Sequence, residues 1–465
     1  MERNGSLPEA EAPTGEPDTR SPLERFRRPP KKALSVTDLA SPAWCELQYF
    51  YTLSKHGRKR RTPAMRQGTR VHQALEDEIH VTVPVETTKK EDSWGLRVWN
   101  VIQGLKTLRE TGRTREFEIW GSIGGEVVNG IIDELSYECP DPKLDQNGQP
   151  EAVGTIPEYQ TSITDYLLSG AEREQGRSIS EALATEENHH DHDVRQRRRQ
   201  KRQQEKRIYI IDVKTRGSPT LPTGASIRPT IVQLHLYHHM LENLVQGHFP
   251  LVRLTERYDL NPHDTFSDSF IAQIGSLNQD LFDAASQGND SPAASVMASQ
   301  DSMDILLQHN TLSLLWDLMM SQFRQTFLLP ARSSHDTTPQ SLSDLPQPAA
   351  LPTRLSPVLT AEYLSPTYRH GADKEKTWLG RKSFIFNAIF LKSYLEDTLA
   401  WWRGEREARG VQLQEAWKCR SCDFRDDCEW IHERNAAALR EVHERRKLRE
   451  IAGAEGWSAP SKSNV

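Results

Sequence analysis

From residue 34 onward the apolar positions recur at two spacings, one helical and one alternating. In SVTDLASPAWCELQYFYTL, Leu47, Phe50 and Tyr51 return at helical intervals behind Ser35 or Thr37, either of which suits an N-cap, so helical structure is predicted over about 37–53. In GTRVHQALEDEI, Val71, Leu75 and Ile79 form one helical stripe, with His72 and Glu76 four residues apart on the adjacent face. REFEIWGSIGGEVVNGIIDELSYE and RIYIIDVKTRG, rich in Val, Ile and Tyr, read as strands. IVQLHLYHHMLENLV returns to helical spacing and lets Gln233 and Tyr237 project together. A last helical block is expected over about 383–408 and a charged helix over about 430–450. There are no internal repeats.

Between these segments the pattern dissolves. Residues 1–33, rich in Pro, Glu and Arg, read as a tail, and 453–465 as a second one. Residues 139–206, ending in HHDHDVRQRRRQKRQQEKR, read as a solvated insertion, as do 285–310 and 331–357. One domain over 34–452 is expected. Composition agrees: 36% hydrophobic and 27% charged residues with 27 prolines leave sizeable stretches outside any core. The net charge of -6 argues against a protein that coats nucleic acid, although basic residues crowd Arg25 to Lys32 and Lys55 to Arg70. No apolar run approaches the roughly 18–20 residues a bilayer requires. Glu2, Glu9, Glu11, Glu16 and Asp18 stand where a leader peptide would be poor in acids. A soluble monomer without membrane contact is the expectation.

Asp133 follows GII, and Asp212 and Lys214 lie in IIDVKT, so charges interrupt apolar strands where they are costly unless paired or bound to metal. Carboxylates suit Mg²⁺ or Mn²⁺, and strand alternation turns Asp212 and Lys214 to one side. A D-x-K tripeptide alone is most often a surface ion pair. CRSCDFRDDC supplies Cys419, Cys422 and Cys428, and Cys45 is the one further cysteine placed to join them; by spacing alone zinc and an iron-sulfur cluster both fit. Cys139 reads as an isolated thiol. KHGRKRRTPAMRQGTR suits phosphate contact, and equally a solvated loop or import signal. Arg216 and Arg228 stand near enough to the acids to clamp phosphates. Trp44, Tyr49 and Tyr51 could stack on bases, although core packing is the commoner use of such residues.

Gly68 to His72, Asp133, Asp212 to Lys214 and Gln233 to Tyr237 follow in the order helix, strand, strand, helix. That order resembles the RecB-like branch of the PD-(D/E)xK nucleases. SVTDL, CELQYFY, GTRVH, GIIDEL, DVKTR and QLHLYHHML together resemble the exonuclease V family, over about 34–80, 113–138, 207–245 and 378–432. The resemblance implies an α/β fold, a mixed central sheet flanked by helices. It implies a Mg²⁺-dependent exonuclease (Mn²⁺ as the substitute) that hydrolyses single-stranded DNA to short products in mitochondrial or nuclear genome maintenance, with single-strand DNA-binding protein as a partner. Carried over by residue, Asp133, Asp212 and His72 would bind the ion, Lys214 would orient the attacking water, and Gln233 and Tyr237 would position the lysine strand and the DNA backbone. Glu76 and Glu118 stay unassigned. The resemblance further implies a [4Fe-4S] cluster on Cys45, Cys419, Cys422 and Cys428 that joins the N- and C-terminal parts. Two rivals stay open: a non-catalytic DNA-binding scaffold, and a zinc-stapled nuclease acting on RNA or flaps.

Overall fold

A two-glycine turn sets the frame of the sheet. Gly124 and Gly125 adopt φ of 57° and 86°, conformations open to glycine, so strand β2 (Arg113–Ile123) folds straight back on β3 (Glu126–Ser136). The computed structural model describes residues 18–57, 61–80, 83–147, 207–275, 303–329, 351–368 and 377–455. The other edge of β3 takes β1 (Leu34–Ser35) in parallel at Val128 and Asn129, and β4 (Ile208–Thr215) antiparallel at Glu134 to Ser136. Strand β5 (Leu355–Leu364) runs parallel to β4, and β6 (Trp378–Ile385) antiparallel to β5. The sheet is therefore mixed, as expected. Ile208 to Val213 are buried on both faces, as a central strand of such a sheet requires.

Helices cover it. Arg228–Val245 buries Leu234, Met240, Leu241 and Leu244, and a Cβ on Gly121 of β2 would come within 2.9 Å of Met240 Cγ, so the glycine lets helix and strand close. Leu312–Phe327 packs on β2 through Trp316 against Trp120 and Phe323 against Phe117, and Lys90–Thr111 adds Trp94 against Trp120. A smaller core of Val71, Leu75, Val213, Leu364 and Tyr368 fixes helix Pro63–Glu76 to β4. Among the described residues no helix is long and apolar enough to cross a membrane.

Several boundaries differ from the sequence reading. The predicted helix over 37–53 is two, Val36–Ala40 and Glu46–His56, separated by a 3₁₀ turn Ser41–Ala43, because Pro42 has no N–H to continue the first. The block over 383–408 begins as strand to Ile385, and helix starts only after Asn387, whose side chain accepts the Phe390 N–H at 2.9 Å. The packed chain starts before Leu34: helix Pro22–Phe26 is capped by Ser21, buries Leu23, and is followed by the Arg27–Asp38 ion pair. Leu306 and Leu355 are buried although they fall in expected insertions. So is Asp145, which holds Arg207 and Tyr209. Residues 148–206 and 456–465, and most of the expected N-terminal tail, lie outside the described residues.

Candidate active site

Glu116, Asp133 and Asp212 occupy one level of three adjacent strands. Arg115 pairs with Glu134 and Phe117 with Ile132 across β2–β3, and Glu134 pairs with Ile211 across β3–β4. Glu116 therefore stands opposite Asp133, where the β2–β3 pairing is interrupted, and Asp133 opposite Asp212, where the β3–β4 pairing ends. Glu116 has φ 47°, a left-handed backbone that costs an L-residue roughly 1–2 kcal/mol. At the point where β3 and β4 part, an Asp133 carboxylate oxygen accepts the Val213 N–H at 2.7 Å.

Helix Pro63–Glu76 brings His72 onto this row. A Cβ on Gly68 would meet Thr215 Oγ1 at 3.0 Å, so the glycine one turn before the histidine allows the helix to close on the strand end. His72 Nε2 lies 3.0 Å from the Val213 carbonyl, while Nδ1 lies 3.3 Å from Glu116 Oε1 and 3.8 Å from Asp133 Oδ1. The carbonyl can only accept, so Nε2 carries the hydrogen. Nδ1 of the neutral ring then turns its lone pair on two carboxylates, an arrangement that demands a proton or a cation between them. Burial opposes a proton on His72, but the Glu116 hydrogen bond and the charges of Asp133 and Glu116 outweigh it and raise the pKa. Among the described residues, this is the one trio of His, Cys, Asp or Glu with ligand atoms all within 4.8 Å of one another.

Asp212 is fully buried. Its Oδ1 accepts from Lys214 Nζ at 2.8 Å, and its Oδ2 has no partner among the described residues. Burial, with the charge of Asp133 adding to it and that of Lys214 opposing, pushes the Asp212 carboxyl up to about 7. For Lys214 burial favours the neutral amine, but Asp212 and Asp133 outweigh it and keep the ammonium. From helix Arg228–Val245, Gln233 Nε2 donates to the Tyr237 hydroxyl at 2.8 Å. Burial, then the charges of Asp133 and Asp212, drive the Tyr237 pKa well above its usual range, so the phenol stays neutral. Gly130 leaves space for that ring, since a Cβ there would lie 3.2 Å from Tyr237 Cε1.

The structure thus gathers His72, Asp133, Asp212, Lys214 and Tyr237, with Gln233 bonded to the last, and adds Glu116, to which the sequence drew no attention. Glu118 is elsewhere: Arg97 Nε lies 3.0 Å from both its oxygens. Glu76 borders the site, its pKa raised by burial and then by Glu116. Arg228 does not stand free to clamp a phosphate, because Glu415 binds its guanidinium. Arg216 is anchored by its N–H to the Leu364 carbonyl at 2.9 Å, and its Nε has no partner among the described residues. Tyr49 is a core residue, its hydroxyl on Asp38 and its ring against Trp401 and Trp402.

The four cysteines meet at the join of the chain's two ends. Cys45 precedes helix Glu46–His56, Cys419 and Cys422 lie at the end of the 3₁₀ turn Leu413–Ser421, and Cys428 precedes helix Glu429–Glu455. All are free thiols. Burial, then the charges of Cys422, Cys428 and Cys419, push Cys45 up to about 11. No three of the sulfurs close to within 4.8 Å of one another. Around them Arg406 holds both oxygens of Glu46 at 2.7 and 2.6 Å, and Lys418 reaches the Trp44 carbonyl at 3.2 Å and Glu415 at 2.8 Å.

Comparison with known proteins gives the class first: residues 21–431 match a family described as exonuclease V, a 5′ deoxyribonuclease, which makes the chain one of the DNA exonucleases. Exonuclease V of Danio rerio is 23% identical over 413 residues, 88% of this chain and 72% of the relative. The mitochondrial exonuclease V of Eremothecium gossypii is 25% identical over 452 residues, 86% and 77% of the two chains, and that of Candida albicans 22% over 469, 85% and 72%. The chain belongs to the exonuclease V family.

Proposed function

We propose that this exonuclease is divalent-metal dependent and specific for single-stranded DNA, on a RecB-like PD-(D/E)xK core stapled by a [4Fe-4S] cluster. The observation that carries the metal is the meeting of the His72 Nδ1 lone pair with the carboxylates of Glu116 and Asp133, beside the unpartnered Oδ2 of buried Asp212. Oxygen-rich donors of this kind suit Mg²⁺, with Mn²⁺ as the substitute. His72, Asp133, Asp212 and Glu116 would hold the ion. Bound there, it would supply Lewis acidity and a more acidic water.

The protein's own groups divide the remaining work. Lys214 stays protonated and brings a positive group to the charge that develops on the phosphate. Tyr237, kept neutral, offers its O–H, and the Arg216 guanidinium has donor capacity for a phosphate. The family's description favours the 5′ end, and the names of the fungal relatives favour the mitochondrion as the place of work.

For the thiols, a zinc ion with sulfur at about 2.3 Å would hold its thiolates about 3.8 Å apart. No three of these four sulfurs lie within 4.8 Å of one another, and a four-iron cluster, whose thiolates sit on different metal atoms, accepts such a spacing. Such a cluster would join the Cys45 turn to the C-terminal segment.

The deciding experiment is anaerobic purification with iron and sulfide analysis, then digestion of labelled single and double strands with and without Mg²⁺. Expected are iron and sulfide, chelator-sensitive digestion of the single strand, and digestion at least a hundredfold slower by Asp212→Asn. Digestion without a divalent ion, or undiminished in Asp212→Asn, overturns the active site; a colourless zinc protein overturns the cluster; equal digestion of duplex overturns the specificity.

A further inference from the structure

We infer that a groove beside the candidate active site holds unpaired nucleobases of the strand being digested, an inference that rests on the exonuclease reading above. The groove has a volume of about 780 Å³, inside the roughly 300–1,000 Å³ of small-ligand pockets, enough to admit nucleotides. Its walls are helix Ala388–Trp402, the segment Arg409 to Glu415, the turn before Cys45, and Arg228 at the head of the Gln233 helix. Arg228 is five residues before Gln233, roughly 8 Å along the helix axis, so one helix carries both the groove wall and the Gln233–Tyr237 pair of the candidate site.

The lining suits both halves of a nucleotide. Two helices, Arg228–Val245 and Ala388–Trp402, begin at this groove, and their N-terminal ends favour phosphate. The acids in its walls are already neutralised: Glu46 by Arg406, Glu415 by Arg228, and Asp397 by Arg406 and Arg409. Nothing in that arrangement repels a polyanion. Trp44 in the wall meets Trp417 edge-on, centroids 6.1 Å apart at 89°. In the wall Ile389 is 83% exposed, and just outside it Trp417, against Trp44, and Leu413 are 52% and 63% exposed. Uncovered aromatic and aliphatic surface beside phosphate-favouring helix ends is what a base-stacking track requires. Such a track discriminates against paired bases, whose faces are covered.

Ile389→Asp and Trp417→Ala in the full-length, cluster-loaded protein test this. Ile389 is in the first turn of its helix, where an acid favours the helix dipole, so Ile389→Asp keeps its melting temperature while placing a negative charge on the track. Expected is a rise in KM for single-strand oligonucleotides of about tenfold in each variant, the loss of one stacked base, with the change in kcat much smaller. An oligonucleotide with one abasic site at the groove position narrows the difference between parent and variants. Anisotropy on the Asp212→Asn background shows the same loss of affinity without cleavage. Unchanged KM and affinity in both variants, or an equal loss for duplex, overturns the track. Undiminished cleavage by Asp212→Asn overturns the active-site assignment instead, so the two failures are told apart.

Discussion

Glu116 faces Asp133 across the one interrupted position of the β2–β3 ladder, with its backbone at φ 47°. Strain of this kind persists where surrounding structure enforces it, and it collects at working sites. Removing the charge while keeping the shape, Glu116→Gln, is expected to lower the apparent affinity for Mg²⁺ by about 10- to 100-fold, read from the Mg²⁺ dependence of cleavage. An unchanged midpoint removes Glu116 from the ion's ligands.

Asp212 is a cost to the fold. A buried carboxyl whose pKa climbs to about 7 is stabilised by losing its charge. Asp212→Asn is expected to abolish at least a hundred- to a thousandfold of the cleavage rate, roughly the loss of one preorganised electrostatic contact, at an equal or higher melting temperature. A strongly destabilised variant contradicts the view that the carboxylate is kept for chemistry.

Glu415 sits between two cations, Arg228 and buried Lys418. Burial lowers the Lys418 pKa and Glu415 opposes that fall. Glu415→Ala leaves the ammonium without this carboxylate and is expected to cost about 3–5 kcal/mol, measured by denaturant unfolding. Glu415→Ala combined with Lys418→Met recovers much of the loss; strict additivity of the two denies the coupling.

Two buried histidines weaken the fold on mild acidification. Burial lowers His235 from 6.5 to about 4 and His238 to about 3, and His238 is stacked on Phe386 with centroids 4.0 Å apart. The unfolded chain takes up these protons at a higher pH than the folded one. Their contribution is therefore complete above about pH 6.5 and is lost as pH falls toward 4, at up to about 1.4 kcal/mol per pH unit for each histidine. Melting followed by circular dichroism from pH 7.5 to 5 is expected to favour His238→Phe over the parent progressively as the pH falls, while Asp212, present in both, acts in the opposite sense; an identical pH dependence in the variant places the sensitivity elsewhere.

Much of the site was legible because its residues punctuate strong patterns. Asp133 and Asp212 break apolar strands, and the four-residue interval of Gln233 and Tyr237 survives as a hydrogen bond. Glu116 was legible too, through the hairpin: counting back from Gly124 and Gly125 puts Glu116 opposite Asp133 and Glu118 opposite Ile131. What alternation could not supply was the left-handed backbone at Glu116. Strands β5 and β6 were missed for other reasons. LSPVLTAEYL follows a proline-rich stretch that masks its start, and the apolar residues of FIFNAIF continue across a strand end into a helix that only Asn387 marks. The use of Arg228 was beyond reach, because its partner is 187 residues away.

That last separation sets the order in which the enzyme can come into being. During synthesis the acids and Lys214 leave the ribosome long before β5, the neighbour that completes their strand, and before Glu415 and the last three cysteines. At about 5–20 residues per second the wait is on the order of ten seconds or more. Throughout it, the catalytic strand lacks one of its edges and the Gln233 helix lacks its clasp. A chain that ends before Glu415 lacks this clasp and the last three cysteines, and ribosome-stalled chains of that length are expected to leave DNA intact where the released protein digests it.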